Sequence, residues 1–243
     1  MRTIDMESNS TPQPAQTLTL TGTIMNEFVQ VEEVPGIGLG LVASHPIPKG
    51  TIWFRMTRDN NLSIPRNAFE HIRCITSPEN TKYPEWKTFR ASIEHFCWYG
   101  EHEDAANFPL DNVRYMNHGD DPNSTYTETE TDTSLGAPSR ANRDIREGEE
   151  VRESYLSYPT CQWAGICGDF LKDVVPDYDA MARGYPLKEP AEILVTRGQL
   201  QVYIESNLTR DIDKALLVVL AKWGVFDDSR DAFVIRIPGG ASD

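Results

Sequence analysis

The sequence predicts a mainly β domain with helical inserts, followed by a mostly helical C-terminal extension. Three observations point there. Residues 28–56 carry short β-branched and apolar runs punctuated by Pro35-Gly36 and Lys49-Gly50. Residues 64–98 change to helix-compatible stretches broken by Ser77-Pro78 and Tyr83-Pro84. Ile212, Leu216, Val219, Leu220 and Trp223 recur at helical spacing near the C-terminus. With 243 residues the chain can form one large domain, or a domain with an appended lobe, and bury a sizeable core.

The elements follow in order. Residues 1–25 are rich in Ser, Thr, Gln and Pro, which bury too little apolar surface to offset ordering entropy, so a flexible tail is expected. Phe28, Val29, Val31 and Val34 predict a strand, Pro35-Gly36 a turn, Leu39–Ala43 a second strand and Thr51–Met56 a short third. A variable insert spans about residues 60–97, with Pro84 placed to open a helix. Strand-like apolar density returns at Phe96–Tyr99 and Arg114–Met116, and the alternating run Thr125–Thr133 reads as an exposed hairpin arm. The core domain then covers residues 26–158 and the extension 159–243. Asp211–Trp223 forms a helix closed by Gly224, and Phe233–Ile237 can add a strand. The helix's apolar stripe must pack on something: the core domain most economically, a second copy of the chain in a homodimer as the alternative.

Charge and composition narrow the partners. The net charge is −14, and residues 101–135 hold nine Asp/Glu against one Arg, a local balance of −8. Such a field disfavours direct nucleic-acid binding and attracts a basic protein segment, although an acidic surface also serves solubility alone. No apolar run is long enough to span a bilayer and no hydrophobic signal core opens the chain, so an intracellular protein without membrane association is expected. Cys74, Cys97, Cys161 and Cys167 form no C-x-C or C-x-x-C pair, which indicates neither a disulfide framework nor a metal site.

Three ordered motifs carry the chemistry. The first is V-P-G-I-G-L-G-L-V-A-S-H-P-I-P-K-G-T, Val34–Thr51. The second is N-V-R-Y-M-N-H-G-D-D-P-N, Asn112–Asn123, and the third G-E-E-V-R-E-S-Y, Gly148–Tyr155. Singly each reads as a turn or a charged hairpin. Together the chain resembles the SET-domain protein-lysine methyltransferases, whose pattern R-(F/Y)-x-N-H-x-x-x-P-N followed by G-E-E-(L/I/V)-x-x-x-Y is filled by Arg114, Tyr115, Asn117, His118, Pro122, Asn123, Gly148, Glu149, Glu150 and Tyr155.

The resemblance implies a SET-domain, β-clip-like core in which the Asn-His segment threads beneath the strand leading to Tyr155 as a pseudoknot. It implies methyl transfer from S-adenosyl-L-methionine to a lysine side-chain amine, with Tyr155 as the catalytic tyrosine. Gly36, Ile37 and Gly38 are implied at the methionine end of the cofactor and Asn117 and His118 on its adenosine side. Tyr99, Tyr115 and Tyr158 are the expected substrate-channel tyrosines, with Tyr115 and Arg114 also expected as buried supports. Where the family commonly has Ser-Cys after Asn-His, this chain has Gly119-Asp120, and the family's C-terminal zinc cluster is missing, leaving Tyr158, Trp163 and Phe170 to cover the site. The substrate class implied is a basic protein, histone tails included. The alternative is a catalytically inactive SET-like module that binds a basic segment.

Overall fold

The computed structural model describes residues 27–126, 138–166 and 173–239. The expected N-terminal tail, most of the Thr125–Thr133 arm, Cys167 and Phe170 lie outside them. Strands and helices are numbered along the chain.

The first sheet begins with a hairpin of β1 (Val29–Val34) and β2 (Gly38–Ala43), in register from Val29 opposite Ala43 to Val34 opposite Gly38. The connecting turn needs glycine: Gly36 and Gly38 sit at φ +79° and +111°, where an L side chain is strained. The strand β10 (Glu150–Glu153) then pairs antiparallel with β2 and parallel with β7 (Asn117–His118). The sheet order is therefore β1-β2-β10-β7, and it draws all three motifs into one surface.

Two further sheets complete this core: β3 (Ile52–Phe54), β9 (Ser139–Ala141) and β8 (Ser124–Tyr126), and β4 (Asn61–Pro65), β6 (Ala105–Pro109) and β5 (Trp98–Gly100). Between them lies the expected insert. The helix α1 (Arg66–Ile75) buries Phe69, Ile72 and Ile75, and α2 (Pro84–Phe96) opens on its proline and buries Trp86, Phe89, Ile93 and Phe96. Arg114–Met116 is no strand. Asn112–Tyr115 forms a 3-10 turn, because the Asp111 carboxylate accepts the Val113 N–H and the Met116 N–H returns to Val113 O.

The extension carries α3 (Tyr178–Ala182), α4 (Arg197–Glu205) and α5 (Asp211–Trp223), and adds a three-stranded sheet of β11 (Glu192–Thr196), β13 (Ala232–Arg236) and β12 (Gly224–Asp227). Gly224 ends α5 in an extended conformation, φ −80° and ψ 134°, and leads straight into β12. Its need for glycine is close approach, since a Cβ would lie 2.5 Å from the Leu220 carbonyl oxygen. The apolar stripe of α5 is spent within the chain. Leu216 and Val219 are fully buried, α5 packs along α2, and Trp223 Nε1 donates to Glu85 at 2.9 Å. One continuous apolar core thus runs through both the β domain and the extension.

Candidate active site

The site grows from the parallel pairing of β7 and β10. Arg152 stands opposite Asn117 and Glu153 opposite His118, so the segment after β10 starts beside the imidazole. Tyr155 opens a 3-10 turn, Tyr155–Ser157, and its backbone N–H donates to His118 Nδ1 at 3.1 Å. An accepting Nδ1 places the ring proton on Nε2, which faces Asp120 Oδ1 at 3.3 Å. The Tyr155 hydroxyl donates to Met116 O at 2.6 Å, fixing its proton and turning its lone pairs outward. Its ring stacks on Tyr158 at 5.7 Å and meets His118 at 5.5 Å, while Tyr126 packs on Tyr158 at 6.1 Å.

These aromatics wall a cavity of about 650 Å³. Its lining includes Tyr155, Tyr158, Tyr126 and Met116, together with Phe96 from α2 and Trp98 and Tyr99 from β5. The Tyr99 hydroxyl donates to Asp104 Oδ1 at 2.9 Å, and Trp163 Nε1 donates to the same oxygen at 2.8 Å. Burial and the Asp104 carboxylate push the Tyr99 hydroxyl up to about 12, so it stays protonated. Three carboxylates also line the cavity, the exposed Glu101 and Glu103 and the buried Glu153.

On the far side of β10 lies the glycine strand. Asn117 Nδ2 donates to Leu39 O at 3.2 Å and Glu150 Oε1 at 2.8 Å, crossing β2 at Gly40. A Cβ on Gly40 would lie 2.6 Å from Val34 Cγ2, 2.8 Å from Glu150 Oε1 and 2.9 Å from Asn117 Nδ2. Gly40 is therefore the close-approach glycine, whereas a Cβ on Gly36 or Gly38 meets no heavy atom within 4 Å. Glu149 buttresses the turn: although burial opposes it, Arg143, the Arg146 N–H and Asn123 hold its carboxyl down to about 2.

The profile of one family, the SET domain, matches residues 38–156. Those residues are a SET domain. Members of the family are in general protein-lysine methyltransferases that use S-adenosylmethionine. Among solved structures, a candidate histone methyltransferase of Plasmodium falciparum is 18% identical, covering 56% of this chain and 97% of its own at a TM-score of 0.35. That likeness is too slight to bear on function. Among curated proteins, no sequence matches the chain.

Within this SET domain, Tyr155, Tyr158 and Tyr99 line one cavity, whereas Asn117 and His118 are not in its lining and sit on β7, paired with Arg152 and Glu153 of β10. Tyr115 does not join them. It is buried, donates its hydroxyl to Asn207 O and packs on Phe96. Its place as a channel tyrosine is thus corrected to that of a support beneath the site, because the 3-10 turn directs its side chain to the extension. Arg114 shares that role, bonded to Leu110 O and Asn207 O. Trp163 covers Phe69 and Tyr99 from outside the cavity.

Gly119 sits where Arg152 crosses: a Cβ would lie 3.1 Å from Arg152 Cβ, and the Gly119 N–H donates to Glu153 O at 3.0 Å. Asp120 points to solvent beside His118. Neither Glu153 nor Tyr126 was foreseeable from its motif. A charged residue between two motif positions looks solvated, and only the alternation of β10, half-buried at Arg152 and buried at Glu153, could have signalled an inward carboxyl.

Proposed function

We propose that the protein is an S-adenosylmethionine-dependent protein-lysine N-methyltransferase acting on a basic protein segment. The observation that carries this is the Tyr155 hydroxyl, tied at 2.6 Å to Met116 O in the wall of an aromatic cavity large enough for a lysine side chain.

The residues fit the cofactor. Asn117 commits its N–H groups to Leu39 O and Glu150, while among the described residues its Oδ1 accepts no hydrogen bond and can take an ammonium donor. Gly36 and Gly38 leave open space beside Ile37, which is exposed. Gly36, Ile37, Gly38, Asn117 and His118 would hold the cofactor, which supplies an electrophilic methyl group on a sulfonium.

The chain's own task is positional. The amine must be neutral when it attacks, and holding a lysine neutral near pH 8 costs about 3 kcal/mol against its ordinary pKa. A desolvating channel lowers that cost, and Tyr155, Tyr158 and Tyr99 supply aromatic faces and hydroxyls for it. Aromatic faces also favour a methylated ammonium. The exposed carboxylates Glu101 and Glu103 in the cavity lining suit a Lys/Arg-rich segment such as a histone tail. The departures from the family pattern do not speak against transfer, since Gly119 has a packing reason in Arg152 and Asp120 is solvated.

Isothermal titration with S-adenosylhomocysteine tests this reading without a substrate. Saturable one-to-one binding that Asn117→Ala weakens supports it. No binding at millimolar ligand would replace it with the inactive module.

A further inference from the structure

One carboxyl in the cavity wall has no cationic partner among the described residues. Glu153 is 2% exposed, and among the described residues no Lys or Arg pairs with it. Its partners are hydroxyls: Ser124 Oγ donates to Oε1 at 2.9 Å, Tyr158 to Oε2 at 2.8 Å, and Ser139 lies in hydrogen-bonding reach. Trp53 Nε1 fixes Ser124 Oγ from behind at 2.7 Å. A buried charge without a counter-ion is costly unless the site expects one. The cavity faced by Glu153 and Tyr158 is the one into which a lysine would enter.

We propose that Glu153 takes the proton from the incoming lysine ammonium through the Tyr158 hydroxyl. This rests on the transferase reading above. An N–H bond of the ammonium breaks as an O–H bond forms on Tyr158, whose own proton passes to Glu153 Oε2. An ammonium and a carboxylate become an amine and a carboxylic acid. The charge pair is replaced by a neutral pair, the favoured state where water is scarce. The amine lone pair is then free to attack, and the acid loses its proton to solvent when product leaves.

The surroundings suit a proton acceptor. Burial raises the Glu153 carboxyl above the usual range, against the lowering by Ser139, Tyr158 and Ser124. The titratable groups facing it are Tyr158, with Tyr155 stacked on that ring and Tyr126 tilted against it, and His118 opposite on β7. The same cavity is also lined by Arg114, His95, His102, Glu101 and Glu103. Of these, His95 is held low by burial and by Arg210.

Two measurements on the full chain test the relay. The first follows labelled methyl transfer to core histones from pH 6.5 to 10.5 for wild type, Glu153→Gln and Tyr158→Phe. The expected result is an acid limb moved up by about one pH unit or more in both variants, with activity down roughly tenfold at pH 7.5 and largely recovered at pH 10. A uniform loss at every pH, or an unchanged limb, would overturn the relay while leaving the transferase reading intact. The second needs no turnover: thermal unfolding with S-adenosylhomocysteine and n-butylammonium chloride, against sodium chloride at equal ionic strength. Wild type should be stabilised by butylammonium and Glu153→Gln should not. Equal shifts in both would overturn the proposal even if histones are not the substrate, whereas failure to bind S-adenosylhomocysteine would count against the transferase reading alone.

Discussion

His118 Nδ1 accepts the backbone N–H of Tyr155 at 3.1 Å, so the imidazole holds the residue that closes the third motif in place. Its role joins the two ends of the site: β7 carries the asparagine that crosses the glycine strand, and the same strand's histidine anchors the tyrosine turn. His118→Ala should leave a half-buried N–H unpaired and release the turn. We expect a loss of about 1–2 kcal/mol in stability by denaturant unfolding, and methyl transfer down at least tenfold.

Gly40→Ala should be worse than Gly36→Ala for the folded state. The added methyl would press on Val34, Glu150 and Asn117, where overpacking costs about 1–3 kcal/mol, while at Gly36 only the φ of +79° is strained. Thermal unfolding of both variants checks the order, and calorimetry should show S-adenosylhomocysteine affinity falling more for Gly40→Ala because Asn117 is displaced.

Tyr115→Phe removes the hydroxyl bond to Asn207 and nothing that faces the cavity. Stability should fall by about 1 kcal/mol, and the methylation state of the product, read by mass spectrometry, should not change.

Asp111 is buried, and burial raises its carboxyl to about 6 against the lowering by the Val113 N–H, Arg114 and Asn60. A carboxyl raised above its unfolded value contributes stability that is complete below pH 3.8 and is lost as pH climbs through about 6. The stability of wild type relative to Asp111→Asn should therefore fall between pH 4 and pH 7.5 by on the order of 2–3 kcal/mol, measured by urea unfolding across that range.

The Leu216 side chain is fully buried where α5 meets α2. Leu216→Ala should cost about 2–4 kcal/mol and unfold the extension and the SET domain in one transition, as their shared core requires.

Much of this was legible in the sequence because its signals are local. Pro35-Gly36 announces a hairpin, Pro84 a helix start, and the spacing of Leu216, Val219 and Leu220 an apolar helix face. What stayed hidden depends on partners distant in the chain. Arg114–Met116 looks like a strand until Asp111 caps it into a 3-10 turn, and Tyr115 looks like a channel residue until the extension supplies Asn207. The need for glycine at position 40 is not local, because its neighbours Asn117 and Glu150 arrive from 77 and 110 residues further on. Glu153 is the sharpest case, for a carboxyl between motif positions gains meaning only once β10 is seen to turn it into the cavity.

Labelled S-adenosylmethionine incubated with core histones and with whole-cell lysate, wild type beside Tyr155→Phe, tests the central claim most directly. Label on lysine, located by mass spectrometry and reduced at least tenfold in the variant while S-adenosylhomocysteine still binds, is the predicted result. Transfer that is equal in wild type and Tyr155→Phe would contradict it.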